Sequence, residues 1–379
     1  MGITCRCRHL IFCVSEILCL LLLPACGGNG SSSFSETGDT LCLRHARNLT
    51  LVEFDDRTEV TLRNPWDTTS VLGKYVLIQN PEVKSQYSNR NAVRVPLQNI
   101  GVFSSVHLAL LHELQADSAV GGICDLEFCN LPYYKQAVAN GRVANLGNSV
   151  QPSLEQIINL SPDALLPSPF ENSGGLGRIE TLGIPIIWCA DYMENTPLGR
   201  AEWIRFYGRL VGHAELADSI FDAVECRYLT LCTKAQNTET KPRLLPEMPW
   251  SGQWTLPASG SSSSRLYADA GADYLFSHLK GNGGIPLSTE KVVDRAVDAD
   301  IWIIKHHGNL DRQQMNADTP LLAGIKAPIW WCDTSVTLLY EETPFHPERL
   351  LENLITILHP ELGIASEYQY FKPLVPHPL

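Results

Sequence analysis

Between residues 49 and 78 apolar and polar positions alternate in three short runs, 49–54, 59–63 and 75–78, punctuated by Asn64-Pro65 and Gly73. Period-two alternation broken by turn residues predicts antiparallel strands of a meander. Beyond residue 100 the rhythm changes. Strands are predicted at 100–103, 119–123, 143–146, 164–166 and 185–189, with helices at 106–114, 133–140, 154–160 and around 177–182. This alternation implies a mainly parallel sheet with helices on both faces. A helical period then takes over, with Trp203, Phe206, Tyr207, Leu210 and Val211 on one face and, after Gly212, Leu216, Ile220, Phe221, Val224 and Tyr228 in continuation. Its second part spans roughly 35 Å at 1.5 Å per residue, enough to connect two lobes. The mixed pattern then resumes, with strands predicted at 243–247, 274–276, 301–305 and 329–332 and helices at 262–270, 290–296 and 347–358.

One phrase occurs twice. Residues 152–166 read P-S-L-E-Q-I-I-N-L-S-P-D-A-L-L, and residues 286–304 read P-L-S-T-E-K-V-V-D-R-A-V-D-A-D-I-W-I-I. Each copy sets a Pro/Ser cluster before a Glu, then a short amphipathic helix, an acidic turn and an apolar run suited to a buried strand. Ser153 and Ser288 suit N-cap positions, which places Glu155 and Glu290 in the first turn of equivalent helices, where a carboxylate favours the positive end of the dipole. They act as helix-start stabilisers or as one exposed grip per lobe. The chain is thus read as α/β, two Rossmann-like lobes bridged by one long helix: an N-terminal lobe over 48–212, the interlobe helix over 213–236 and a C-terminal lobe over 237–379. Ligands of such sheets bind at the C-terminal strand ends, so Ser104, Ser105, His107, Asp125, residues 168–175 and 191–195 are expected on one rim.

The N-terminus adds an address. Arg6 and Arg8 precede an apolar stretch over 10–23, interrupted by Ser15 and Glu16, and Leu23-Pro24-Ala25-Cys26 follows. The stretch is shorter than the roughly 20 apolar residues of a membrane span and reads as a secretory signal, residues 1–25, with Cys26 at a lipoprotein-type cleavage site. Residues 26–47 then form a lipid-anchored tether that starts with the flexible G-G-N-G-S-S-S-F-S. Removing the signal takes Arg6, Arg8 and Glu16 and leaves 27 basic against 40 acidic residues, a formal charge of −13. Such a chain has no electrostatic reason to bind nucleic acid. Seven cysteines remain after Cys26, at spacings that match no metal-binding pattern, and are read as scattered core thiols with at most a bridge or two.

Ser104 or Ser105 with His107 and Asp125 or Asp191 has the composition of an envelope esterase. There is no G-x-S-x-G elbow, no H-E-x-x-H and no G-x-G-x-x-G, so no catalytic residue, metal site or cofactor is assigned. His306 and His307 follow the strand over 301–305, where a ligand loop belongs. Trp250 and Trp254 stand at the mouth of the second lobe, where aromatics pack against a macrocycle or into the core.

The segments V-T-L-R-N-P-W-D (60–67), F-S-S-V-H-L-A-L-L (103–111), L-G-N-S-V-Q-P-S-L-E-Q-I (146–157), S-P-F-E-N-S-G-G (168–175), G-R-A-E-W-I-R-F-Y-G (199–208), A-D-A-G-A-D-Y-L-F (268–276) and E-E-T-P-F-H-P-E (341–348), in this order, carry a resemblance. The chain resembles the ABC-importer substrate-binding lipoproteins that serve iron-chelate and vitamin B12 uptake, the class III periplasmic binding proteins, over about residues 48–374. The resemblance implies capture of a ferric siderophore, haem or cobalamin between the lobes. Cleft-loop candidates are Ser104, Ser105, His107, Asp125, Phe170, Glu171, Asn172, Tyr192, Trp250, Trp254, His306 and His307. It also implies docking on an ABC permease and ATPase complex in the inner membrane, through Glu155 and Glu290, by a monomer anchored in the periplasm. The serine run at 259–264 stands where relatives often carry bulkier residues. Replacing Cys26 with Ala is expected to release the protein from the membrane and leave it unprocessed at that cysteine, which fractionation and mass spectrometry would check.

Overall fold

The structure, a computed structural model, describes residues 38–67, 69–79, 91–171, 175–367 and 369–375. The secretory stretch, Cys26 with the Gly/Ser segment, and Asn172 lie outside them. Five strands open the fold: β1 (Asp39–Leu41), β2 (Leu49–Glu53), β3 (Arg57–Arg63) and β4 (Val71–Ile78) run antiparallel in order, and β5 (Ala92–Arg94) joins β4 in parallel. The meander matches the alternation in sequence, because Leu49, Leu51, Val60 and Leu62 turn inward together. The expected tether ends earlier than residue 47. Buried Glu202 accepts the backbone N–H groups of Arg44, His45 and Ala46 at 2.7–2.9 Å, and buried Glu194 accepts those of Arg47 and Asn48, so this segment is pinned to the lobe.

The N-terminal lobe follows as β6 (Ile100–Val102), α1 (Ser105–Glu113), β7 (Val120–Cys124), α2 (Pro132–Ala139), β8 (Ala144–Gly147), α3 (Leu154–Leu160) and β9 (Ala164–Leu166). Its four strands are parallel in the order β8-β7-β6-β9. The strand expected at 185–189 is reduced to a single parallel bridge between Leu165 and Ile186. Three helices lead out of the lobe: α4 (Pro197–Ala201), α5 (Ile204–Val211) and α6 (Ala214–Gln236).

The C-terminal lobe comprises β10 (Arg243–Pro246), β11 (Gln253–Pro257), α7 (Ser262–Asp269), β12 (Asp273–Tyr274), β13 (Gly284–Ser288), α8 (Thr289–Ala296), β14 (Ile301–His306), α9 (Arg312–Asp318), β15 (Ile329–Asp333), α10 (Leu339–Glu342), α11 (Pro347–Leu358) and β16 (Lys372–Pro373). Its sheet runs β12-β10-β14-β15-β16, parallel apart from β16, and β11 pairs with β13 as a separate antiparallel ribbon. The repeated phrase now has a topological meaning. In each lobe it supplies a helix and then the strand that lies beside the lobe's first strand, α3 and β9 against β6, α8 and β14 against β10.

The 23-residue α6 holds the lobes together. It packs on α5 of the first lobe and on α7 and α11 of the second, and Phe221, Val224, Tyr228 and Leu231 are buried in a core that contains residues of both lobes. Gly208 lets α5 and α6 approach, since a Cβ there would stand 2.3 Å from the Ala217 Cβ. A second seam joins α1 to α10 and α11. Asn130 donates from its backbone to Glu341 at 3.0 Å and from its side chain to the Thr334 carbonyl at 3.0 Å, and His346 bridges Glu113 at 2.6 Å and Glu348 at 2.8 Å.

Burial opposes a charge on His346, but Glu113 and Glu348 outweigh it and lift its pKa to about 9. A histidine whose pKa rises on folding stabilises the fold fully below its unfolded value, about 6.5, and that contribution fades as pH climbs through the folded value. The melting temperature is therefore expected to fall from pH 6.5 to 8.5. His346→Gln should melt lower at pH 6 and show a shallower fall, which thermal unfolding across pH would test.

Candidate ligand cleft between the lobes

A cavity of 1210 Å³ is lined from three directions: Arg47, Arg63 and Trp66 of the meander, Glu171, Tyr192, Glu194 and Arg200 of the N-terminal lobe, and Glu247, Trp250, Ser261, Ser262, Ser263, Lys305 and Tyr340 of the C-terminal lobe. The C-terminal contribution follows from the parallel sheet, because β10 and β14 point their carboxyl ends at the same space. A second cavity of 340 Å³ belongs to the N-terminal lobe alone, at the ends of β6, β7 and β9, and is lined by Phe103, Ser104, Ser105, Asp125, Phe170 and Trp188 among others. Phe170 and Glu171 line one cavity each, so a single turn separates the two.

The expected ligand-facing residues thus divide. Glu171, Tyr192 and Trp250 meet in the large cleft, whereas Ser104, Ser105, Asp125 and Phe170 surround the smaller cavity. Two strained backbones mark these rims. Asp125 and Glu247 both have positive φ, 51° and 63°, a region costly for residues with a Cβ and concentrated at functional sites.

Three expectations are corrected. His107 is buried, 2% exposed, with Nε2 2.9 Å from Asp191 Oδ1 and the Tyr207 hydroxyl 3.2 Å away, so it supports the floor of the lobe and lies outside both cavities. Trp254 is fully buried, donates Nε1–H to the Pro246 carbonyl at 3.1 Å and stacks on Trp302 at 5.5 Å, while Trp250 is 82% exposed. The alternation of β11 explains this: Trp254 and Leu256 turn inward and Gln253 and Thr255 turn to the cleft. His306 donates from Nδ1 to the Gly308 carbonyl at 3.2 Å and His307 is exposed, and both lie outside the two cavities, where Lys305 takes the cleft position instead. Among the described residues no group of three or more His, Cys, Asp or Glu side chains is placed to hold a metal ion. The seven described cysteines are free thiols, five of them buried.

The esterase arrangement does not assemble. Burial disfavours charge on His107, yet Cys189 and the Asp191 carboxylate beside it raise its pKa to about 10, and its Nε2 is engaged by Asp191 at 2.9 Å and Tyr207 at 3.2 Å and not by a serine. Asp191 is held well below the usual carboxylate range: burial works against its ionisation, but His107 and Arg200, 3.0 Å away, prevail. The Ser104 hydroxyl accepts from Val106 N–H as an N-cap.

Of the cleft's polar groups, Lys305 and Glu247 were missed by sequence reasoning, whereas Glu194 lies in the rim segment expected at 191–195. Glu194 receives Arg47 N–H, Asn48 N–H and Trp203 Nε1–H at 2.8–3.0 Å and is thereby spent. Lys305 and Glu247 pair at 2.5 Å, and Glu247 keeps the ammonium charged against the pull of burial. Around them Trp66, Tyr192, Trp250 and Tyr340 offer aromatic surface, and the run Ser261–Ser263 offers hydroxyls, with Ser261 also capping α7. A concave space with aromatic walls and a few fixed polar groups suits a bulky ligand. Away from the cleft, Glu155 and Glu290 are both exposed in the first turns of α3 and α8, and Ser153 caps α3 through Gln156 N–H at 3.3 Å.

Residues 108–328 match the family described as "Periplasmic binding protein". The chain belongs to the periplasmic binding protein family. An uncharacterized lipoprotein of Methanocaldococcus jannaschii is 24% identical over 365 residues, which cover 89% of this chain and 86% of that protein. A periplasmic heme-binding protein from Pseudomonas aeruginosa shares the fold with a TM-score of 0.55 at 18% identity, over 74% of this chain and 96% of its own. The periplasmic vitamin B12 binding protein BtuF of Vibrio cholerae does so with a TM-score of 0.52 at 14% identity, over 70% and 98%. The two α/β lobes and the long bridging helix of this periplasmic binding protein are thus a fold shared with proteins whose names specify different bulky ligands.

Proposed function

We propose that this protein is the substrate-binding lipoprotein of an ABC importer, which captures an iron chelate (a ferric siderophore or haem) or a cobalamin in the interlobe cleft and delivers it to a membrane permease. The observation that carries the reading is the 1210 Å³ cleft lined from both lobes in a member of this family. The protein binds reversibly and turns nothing over. It works as a monomer in the periplasm, held at the membrane by acylated Cys26. Among the described residues no helix is long and apolar enough to cross a membrane, so the described part offers no helical anchor of its own.

Delivery rests on Glu155 and Glu290. They start topologically equivalent helices in the two lobes and are exposed, and each is free to meet an arginine of the permease. An exposed carboxylate contributes roughly 0–1 kcal/mol to folding, while removing one partner of a desolvated interfacial charge pair costs about 2–5 kcal/mol of docking free energy. Ligand binding itself should raise stability by about 2.7 kcal/mol at a hundredfold excess over the dissociation constant. The double variant Glu155→Ala with Glu290→Ala is expected to melt and bind ligand like the wild type while failing to support uptake or to stimulate the transporter's ATPase. Normal uptake by that variant would remove the docking assignment. An absence of thermal stabilisation by haemin, cobalamin and ferric chelates alike would remove the transport reading.

A further inference from the structure

We infer that the cleft selects an anionic ligand, and that Arg47 and Arg63 of the N-terminal meander are the residues that read its charge; this rests on the cleft being the binding site proposed above. The charges that face the cleft are largely committed. Arg200 pairs with Asp191 at 3.0 Å, Lys305 with Glu247 at 2.5 Å, and Glu194 is occupied by three N–H donors. Among the described residues, the side chains of Arg47 and Arg63 have no hydrogen-bond or ion-pair partner, and Glu171 is the one cleft carboxylate in the same condition. Two open guanidinium groups against one carboxylate make a local positive site in a chain of net charge −12.

The two arginines are placed by the backbone and not by chance contact. Arg63 N–H donates to the Asn48 carbonyl at 2.8 Å, extending the β2–β3 register by one pair beyond Leu49 and Leu62, so Arg63 lies across from Asn48 and next to Arg47. Arg47 and Asn48 are themselves pinned through their N–H groups to buried Glu194. Both guanidinium groups therefore start from fixed backbone points while their heads remain exposed. The meander that carries them lies before residue 108, outside the span matched by the family. A guanidinium presents a planar fork of donors that matches paired anionic oxygens, such as those of carboxylates or catecholates. Trp66 and Trp250 beside them give such a ligand an aromatic surface.

The test is a binding titration of the full chain with four probes: ferric tris(catecholate), haemin, the neutral ferric tris(acetohydroxamate) and cyanocobalamin. The variants are Arg47→Gln with Arg63→Gln, and Arg47→Lys with Arg63→Lys. The wild type should prefer the ferric catecholate or haemin, with affinity that falls as salt rises. The Gln pair should weaken the anionic probe by about 10- to 100-fold per arginine, the range for loss of a charge-assisted hydrogen bond, and leave neutral probes unchanged. The Lys pair should recover part of the loss, which a merely structural role would not produce. Equal or tighter binding of a neutral probe, or unchanged affinity of the Gln pair for the anionic one, would overturn this inference and leave the cleft as the binding site. Binding of none of the four would remove the proposed function together with it. Ferric catecholate against haemin decides which anionic oxygens are read.

Discussion

The packing of α6 against both lobes is the constraint on which the rest of the molecule depends. Its buried stripe of Phe221, Val224, Tyr228 and Leu231 belongs to one continuous core that reaches from the meander to α11. Burial of each large apolar side chain contributes about 1.5–3 kcal/mol, so the helix cannot leave either lobe without exposing several of them. Polar contacts reinforce it at the far end, where Tyr228 donates to Asp269 at 2.9 Å and Arg227 pairs with Glu352. With the seam of Asn130, Glu341 and His346 on the α1 side, the lobes are fixed at two places. The cleft is therefore a preformed space whose walls need little rearrangement to receive a ligand, and less ordering entropy opposes binding.

Fixed walls also explain where charge is kept and where it is spent. Glu194 and Glu202 are buried carboxylates that would be costly alone, and each is satisfied by consecutive backbone N–H groups of residues 44–48. That arrangement sews the start of the meander onto the N-terminal lobe. The buried His107, Asp191 and Tyr207 cluster serves the same end beneath the rim, where the three side chains satisfy one another.

Much of the architecture was legible in the sequence because it rests on periodicity. The repeated Ser-x-Glu phrase, the alternating strands and the long apolar stripe after Gly212 correspond to α3 and α8, the parallel sheets and α6. Failures came where tertiary partners decide. His107 pairs with a residue 84 positions away, and a helix-start histidine just after a serine pair does not disclose that partner. Arg47 was hidden inside a segment whose polar composition resembled a tether, and only its contacts with Glu194 reveal it as part of the lobe. Trp254 was a readable error: in Q-W-T-L-P the apolar positions alternate, and the strand buries them. The run over 185–189 has strand composition, yet it retains one bridge.

In the proposed function one ligand is held by both lobes and the meander at once. Hydrogen–deuterium exchange of the full chain, with and without whichever of haemin, a ferric chelate or cobalamin stabilises it most, tests this directly. Ligand-dependent protection is expected in three separated segments, around residues 47–66, 191–200 and 247–263. Protection confined to a single lobe, or limited to the rim of the smaller cavity around Asp125 and Phe170, would contradict it.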